Sequence, residues 1–290
     1  MNIKEWRTQR IKHLGKYKYN ELKIQENGIA YKYTETERQP MLEDDGKSPK
    51  RLPNILPIEL CDDYKWKNII PSDYQQEIIS IIKTKEICLH KEFHHLNSSQ
   101  ALCFNLFFPL RIELGHKYIN ESSEETKYAF EYVKNPIEKT QIDHYVVYFK
   151  PDTEEHGYEV KYTEETPDEK TRERNKKSKD KYKFNKYRQN IRKYFCDENI
   201  TESEFIYYEQ IYRHIIYSYE NNILLYYVYP EKRPEWKNIV ENKMYKLKEE
   251  YKAKENIEFI TIDYIVDICK KCNNQKFKRH YELFEKKYLL

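Results

Sequence analysis

The sequence predicts an α/β domain of α+β-like layering, and three observations carry that prediction. An apolar helix spans His95–Gly115 (HLNSSQALCFNLFFPLRIELG). Three short β-like runs follow at Tyr128–Val133, Ile142–Phe149 and Tyr158–Thr163. A second helix at Ser203–Tyr219 then leads into an apolar strand at Ile223–Tyr229. Helix, three strands, helix, strand is an order found in layered domains.

Each element has its own signal. The stretch Glu35–Pro57 clusters Pro, Asp, Gly and Ser and reads as a loop, setting off an N-terminal accessory segment (1–70). At Ser72–Lys83 (SDYQQEIISIIK), Ser72 can cap a helix in which Glu77, Ile78, Ile81 and Ile82 fall on turn spacing. In the next helix Asn97 or Ser98 is the expected N-cap. Ala101, Leu102, Cys103, Leu106 and Phe107 make it apolar nearly all round, so it should be central. Pro109 should end or kink it. Pro230 closes the strand at Ile223–Tyr229, where a core of 71–232 would end. A charged helix at Glu235–Lys254, a strand at Glu258–Ile262 and a terminal helix make up a C-terminal extension, 233–290, expected to pack on that core.

Composition narrows the class. Of 290 residues, 39% are apolar and 35% charged, which suits a water-exposed globular chain. The longest apolar run, ILLYYVY, has the length of a strand and not of a membrane span. The basic N-terminus has no apolar stretch behind it, so no secretory signal is expected and the cytoplasm is the expected location. The six cysteines are then expected to be reduced. Net charge, 52 − 49 = +3, says little about partners. Its distribution says more: between Arg172 and Lys193 stand eleven Lys/Arg against Glu173 and Asp180, which suits a phosphate backbone or, failing that, a solvated loop. The 29 tyrosines accompany Lys, Asn and Ile, residues that AT-rich codons supply, and are no evidence of base stacking.

The stretch Gln141–Glu164 (QIDHYVVYFKPDTEEHGYEVKYTE) reads as a β-hairpin with a turn at Lys150–Thr153. Glu159 and Lys161, two apart, share one face, while Tyr158, Val160 and Tyr162 take the other. A tight turn pairs Asp143 opposite Val160, and a bulge at Gly157 would bring Asp143 alongside Glu159 or Lys161. Two carboxylates beside a lysine suit a hard cation and the stabilisation of charge on a phosphate.

Asp143 followed by Glu159-Val160-Lys161 at the close of a hairpin resembles the PD-(D/E)XK nuclease superfamily. The helix HLNSSQALCFNLFFPL, and YYEQIYRHI (Tyr207–Ile215) before an apolar strand ending in Pro, resemble a bacterial group of restriction endonucleases within it. The resemblance spans roughly His94–Pro230. It implies a restriction-endonuclease-like core, a central mixed sheet flanked by helices. It also implies Asp143 and Glu159 as ligands of Mg²⁺, for which Mn²⁺ can substitute, Lys161 as the catalytic lysine, and Gln210 and Arg213 as supporting polar groups. Ile142 stands where the superfamily has Pro. Many members carry an acid on the first helix; here that helix offers Ser98, Ser99 and Gln100, and Gln100 is the candidate to lie near the site, ahead of Glu92 and Glu113.

Other signals are weaker. Cys269-Lys-Lys-Cys272 lacks the second half of a zinc site, His94-His95 read as flanking a helix start, and there is no Gly-rich phosphate loop. The expectation is a Mg²⁺-dependent endonuclease acting on double-stranded DNA in prokaryotic restriction or defence, with Arg172, Arg174, Lys176, Lys177, Lys179, Lys181 and Lys183 on the DNA. A homodimer would let one site per chain cut both strands. The alternatives are a non-catalytic nucleic-acid-binding module of the same fold, or a nuclease of DNA repair or recombination.

Overall fold

Apolar periodicity turns the first part of the chain into helices joined by short strand pairs. The structure, a computed structural model, describes residues 3–33, 38–119, 126–134, 140–149, 153–167, 178–196 and 200–289, with backbone alone at 33, 38 and 178–183. It divides the chain into two units: Met1–Gly115 with Asp263–Leu290, and His116–Ile262. In the first unit α1 (Ile3–Asn20) buries Trp6, Leu14 and Tyr17. Strands β1 (Gly28–Ile29), β2 (Tyr31–Tyr33), β3 (Arg38–Pro40) and β4 (Arg51–Leu52) pair antiparallel as β1–β4 and β2–β3.

Helices α2 (Gln75–Thr84) and α3 (Ser99–Glu113) follow. Ser98 caps α3, accepting from the Ala101 N–H at 3.3 Å. Pro109 does not end α3, which runs on to Glu113. Proline lacks the N–H that would bond the Asn105 carbonyl, and that carbonyl instead accepts from His280 Nε2 at 2.8 Å. Ser72 is no helix cap: α2 begins three residues later with no side-chain cap at Tyr74, and the Ser72 hydroxyl lies 2.7 Å from His280 Nδ1.

The second unit is one six-stranded sheet with helices. Its elements are β5 (Lys117–Tyr118), β6 (Lys127–Tyr132), β7 (Ile142–Tyr148), β8 (Glu154–Val160), α4 (Ser178–Tyr194), α5 (Glu202–Tyr207), α6 (Glu209–Asn221), β9 (Leu224–Tyr229), α7 (Glu235–Met244), α8 (Glu249–Lys252) and β10 (Ile257–Thr261). The sheet order is β10-β9-β8-β7-β6-β5. It is mixed: β6, β7 and β8 run antiparallel, whereas β9 is parallel to both β8 and β10. Ile142, Tyr145, Leu225 and Tyr227 from the sheet pack with Tyr187, Ile211, Tyr212 and Ile215 from the helices in one core. Rings of Phe130, His144, Tyr158 and Tyr226 stack across β6 to β9 with centroids 4.5, 5.4 and 5.1 Å apart, which pins the register. A central six-stranded mixed sheet flanked by helices agrees with the restriction-endonuclease-like α/β core that the resemblance implies. The chain then returns to the first unit through α9 (Ile262–Lys270) and α10 (Gln275–Tyr288).

Several elements differ from expectation. The third strand begins at Glu154 and ends at Val160, because pairing to β7 and β9 recruits polar residues that carry no β signal. The expected helix at Ser203–Tyr219 is two, α5 and α6, meeting at Tyr208 (φ −108°, ψ 25°). The charged helix after Pro230 also breaks, where Leu247 turns inward and bridges to Phe195. Residues 178–194 of the basic stretch are helical, with Tyr187, Ile191 and Tyr194 buried. No helix among the described residues is long and apolar enough to cross a membrane.

Candidate active site

The polar trio of the hairpin is arranged by strand register. Strands β7 and β8 pair from Tyr148↔Glu154 to His144↔Tyr158. Continuing that register sets Asp143 opposite Glu159, not Val160, so no bulge is needed. Gly157 is a regular partner of Tyr145. Its missing side chain has another cause: a Cβ there would come 3.1 Å from Leu225 Cδ1 and 3.2 Å from Ile142 Cγ2. Beyond His144 the ladder stops, and the Val160 N–H donates to Asp143 Oδ2 at 2.7 Å. The carboxylate replaces a main-chain carbonyl at the end of the strand pair.

Glu159 is the hub of the buried contacts. Its Oε1 accepts from Lys161 Nζ at 2.5 Å and from Gln210 Nε2 at 3.0 Å. Its Oε2 lies 3.7 Å from His214 Nε2, and His214 Nδ1 lies 3.2 Å from the Tyr227 hydroxyl. Gln210 and His214 are four residues apart on α6 and so share a face. Lys161 is fixed from behind, its N–H donating to the Val228 carbonyl at 2.8 Å and its amine lying 5.5 Å from the Trp236 ring centroid. Burial alone would lower the Lys161 pKa; the charges of Glu159, Asp143 and Glu164 outweigh it and raise the amine above its ordinary range.

Asp143 is pushed towards its neutral form. Burial, then the charges of Glu159 and Glu131, raise its carboxyl well above the ordinary value, against the opposing pull of Lys161 and the Val160 N–H. Glu131 stands on β6 between the pairs Phe130↔His144 and Tyr132↔Ile142, with a left-handed φ of 52°. Three carboxylates thus occupy one level of three adjacent strands. Among the described residues no three His, Cys, Asp or Glu side chains form a group that could hold a metal ion.

The remaining candidates have other partners. Arg213 bonds the Tyr187 hydroxyl and Thr140 Oγ1, each at 3.1 Å, and Glu209 at 3.4 Å, fastening α6 to its surroundings. Gln100 belongs to the first unit, where its amide takes the His90 N–H at 2.8 Å and donates to the Cys88 carbonyl at 2.9 Å. Glu113, in the same unit, accepts from Tyr74 and from Asn274. Arg172, Arg174, Lys176 and Lys177 lie outside the described residues, as do the side chains of Lys179, Lys181 and Lys183 on α4 and residues 150–152 of the hairpin turn.

Sequence reasoning passed over three supports. His214 could have been noticed one turn beyond Gln210. Trp236 and Arg233 could not, because their partners, the Lys161 amine and the carbonyls of Tyr162 and Glu164, are distant in sequence. Arg233, fully buried, donates to the carbonyls of Tyr162 at 3.1 Å and Glu164 at 3.2 Å and pairs with Glu235, clamping the chain that leaves Lys161. Next to Lys161 opens a cavity of about 370 Å³ walled by Tyr207, Tyr208, Gln210, Arg213 and Trp236.

Neither the curated proteins nor the solved structures compared with this chain include a match. A family model does match: the one described as restriction endonuclease associating with ARP (REase-ARP) covers residues 11–289. With that model spanning almost its whole length, the chain belongs to the REase-ARP family.

Proposed function

We propose that this protein is a Mg²⁺-dependent endonuclease of the PD-(D/E)XK type that hydrolyses DNA phosphodiester bonds, with Mn²⁺ able to replace Mg²⁺. The observation that carries the reading is the Lys161 amine bonded at 2.5 Å to a buried Glu159 whose strand neighbour is Asp143. Family membership supports nuclease chemistry and DNA as the substrate. Association with ARP is named in the family description, and a role in prokaryotic restriction or defence fits it. The cytoplasm as the place of action rests on the N-terminus, where no apolar stretch follows the basic residues.

Asp143 and Glu159 would hold the cation. Mg²⁺ takes hard oxygen donors, one or two carboxylates with water completing the shell. Two carboxylates set opposite each other on neighbouring strands, Asp143 raised by burial and then by the charge of Glu159, fit that demand. Such a cation supplies a polarised phosphoryl oxygen and a more acidic bound water. Gln210 and His214 hold Glu159 in orientation. Lys161, an ammonium paired with Glu159, acts as a donor and stabilises charge developing on the phosphate oxygens. One site per chain would cut a duplex as a homodimer.

The test is incubation of the purified protein with supercoiled plasmid and with linear DNA, in Mg²⁺, Mn²⁺ or EDTA. Cleavage of both substrates with either ion, and none in EDTA, supports the proposal. Intact DNA in every condition refutes it.

A further inference from the structure

Beside Lys161 the second unit holds a cavity whose walls suit a nucleobase better than a phosphate. We propose that it receives an unpaired base of the strand being cut, one bearing an amino group, so that strands with an extrahelical base beside the scissile phosphate are the preferred substrates. This rests on the nuclease reading above.

Size and walls agree. About 370 Å³ falls within the range of small-ligand sites. Tyr207, Tyr208 and Trp236 supply aromatic rings of the kind that sandwich an unstacked base. The cavity's two cations are already engaged: Lys161 by Glu159, and Arg213 by Tyr187, Thr140 and Glu209. Its other charges are the carboxylates of Glu164, one oxygen of which accepts from the Tyr162 N–H at 2.6 Å, of Glu209, one oxygen of which pairs with Arg213, and of Glu165. Those repel a phosphate but accept from an exocyclic amino group, as carboxylates do from cytosine N4. Lys161 lines the cavity and touches Glu159, so an occupant adjoins the place where the scissile phosphate would lie.

The experiment measures equilibrium binding in EDTA to four duplexes that share one paired sequence: fully paired, with one unpaired adenine, with one unpaired thymine, and with the same bulge lacking its base. The wild type should bind the adenine bulge about tenfold more tightly than the abasic bulge, the scale of one stacked base. Tyr207→Ala should abolish that difference and Tyr207→Phe keep it. Glu165→Gln, which leaves the aromatic wall intact, should weaken the preference for adenine over an unpaired thymine. Equal binding of the adenine and abasic bulges, or a preference that survives Tyr207→Ala, overturns the assignment. So does displacement of the bulged duplex by an equal concentration of free AMP, which would make the cavity a mononucleotide site. Plasmid cleavage in Mg²⁺ without any adenine preference sinks the cavity assignment alone. Adenine preference without cleavage of any substrate sinks the nuclease reading and leaves the base site standing.

Discussion

The Val160 N–H donates to Asp143 Oδ2 at 2.7 Å, so a catalytic candidate also closes the end of a strand pair. Asparagine would keep that acceptor while removing a carboxyl whose charged form is disfavoured by burial and then by Glu159 and Glu131. Asp143→Asn should therefore be more stable than the wild type in EDTA, by on the order of 1 kcal/mol. Mg²⁺ should stabilise the wild type and not the variant, erasing the gap. Urea unfolding with and without Mg²⁺ measures both; a variant less stable than the wild type in EDTA would count against crowding at this site.

Lys161 and Glu159 form an ion pair with side chains only 9% and 3% exposed. Removing one partner of such a pair leaves a buried charge uncompensated, at a cost of about 3 kcal/mol. Lys161→Met should lower stability by about that much, and adding Glu159→Gln should restore most of it. A double-mutant cycle reads the coupling; additive effects would mean the pair does not stabilise the fold.

His280 holds the α3 carbonyl that Pro109 frees, with its pKa lowered to about 4 by burial. The unfolded chain, with an ordinary His pKa near 6.5, then binds more protons than the folded one between pH 6.5 and 4. Stability contributed by neutral His280 is complete above pH 6.5 and is lost as pH falls to 4, by up to about 3 kcal/mol. His280→Gln should flatten that part of the profile in chemical unfolding between pH 7 and 4. Parallel profiles for the two proteins would show that His280 does not titrate there.

The basic stretch Arg172–Lys193 carries eleven Lys/Arg against two acids. If Lys179, Lys181 and Lys183 contact phosphates, changing all three to Gln should flatten log K against log salt by about 3 × 0.9. Filter binding across a salt series would show it, with Mg²⁺ affinity unchanged. An unaltered slope would place the DNA path elsewhere.

Much of this architecture can be read from the chain because it is local. A run of β-branched and aromatic residues marks β7, Pro230 marks the end of β9, and the two-residue step from Glu159 to Lys161 sets them on one face whatever surrounds them. What escaped is tertiary. In the β7–β8 register the rings of His144 and Tyr158 stack with centroids 5.4 Å apart, a contact that the turn motif in the sequence does not announce. Gly157 looks like a bulge in sequence, yet its cause is the approach of Leu225 and Ile142. The break at Tyr208 lets Phe205 and Tyr212 stack with centroids 5.7 Å apart, a gain invisible to helix periodicity.

The central claim is that Asp143, Glu159 and Lys161 form a metal-dependent nuclease centre. The most direct test is the rate of supercoiled-plasmid cleavage in Mg²⁺ by Asp143→Asn against the wild type, both shown to be folded. Cleavage by the wild type and a loss of at least about 100-fold in the variant are expected, the scale of removing a group that acts on the transition state. Cleavage by Asp143→Asn at the wild-type rate would contradict the claim.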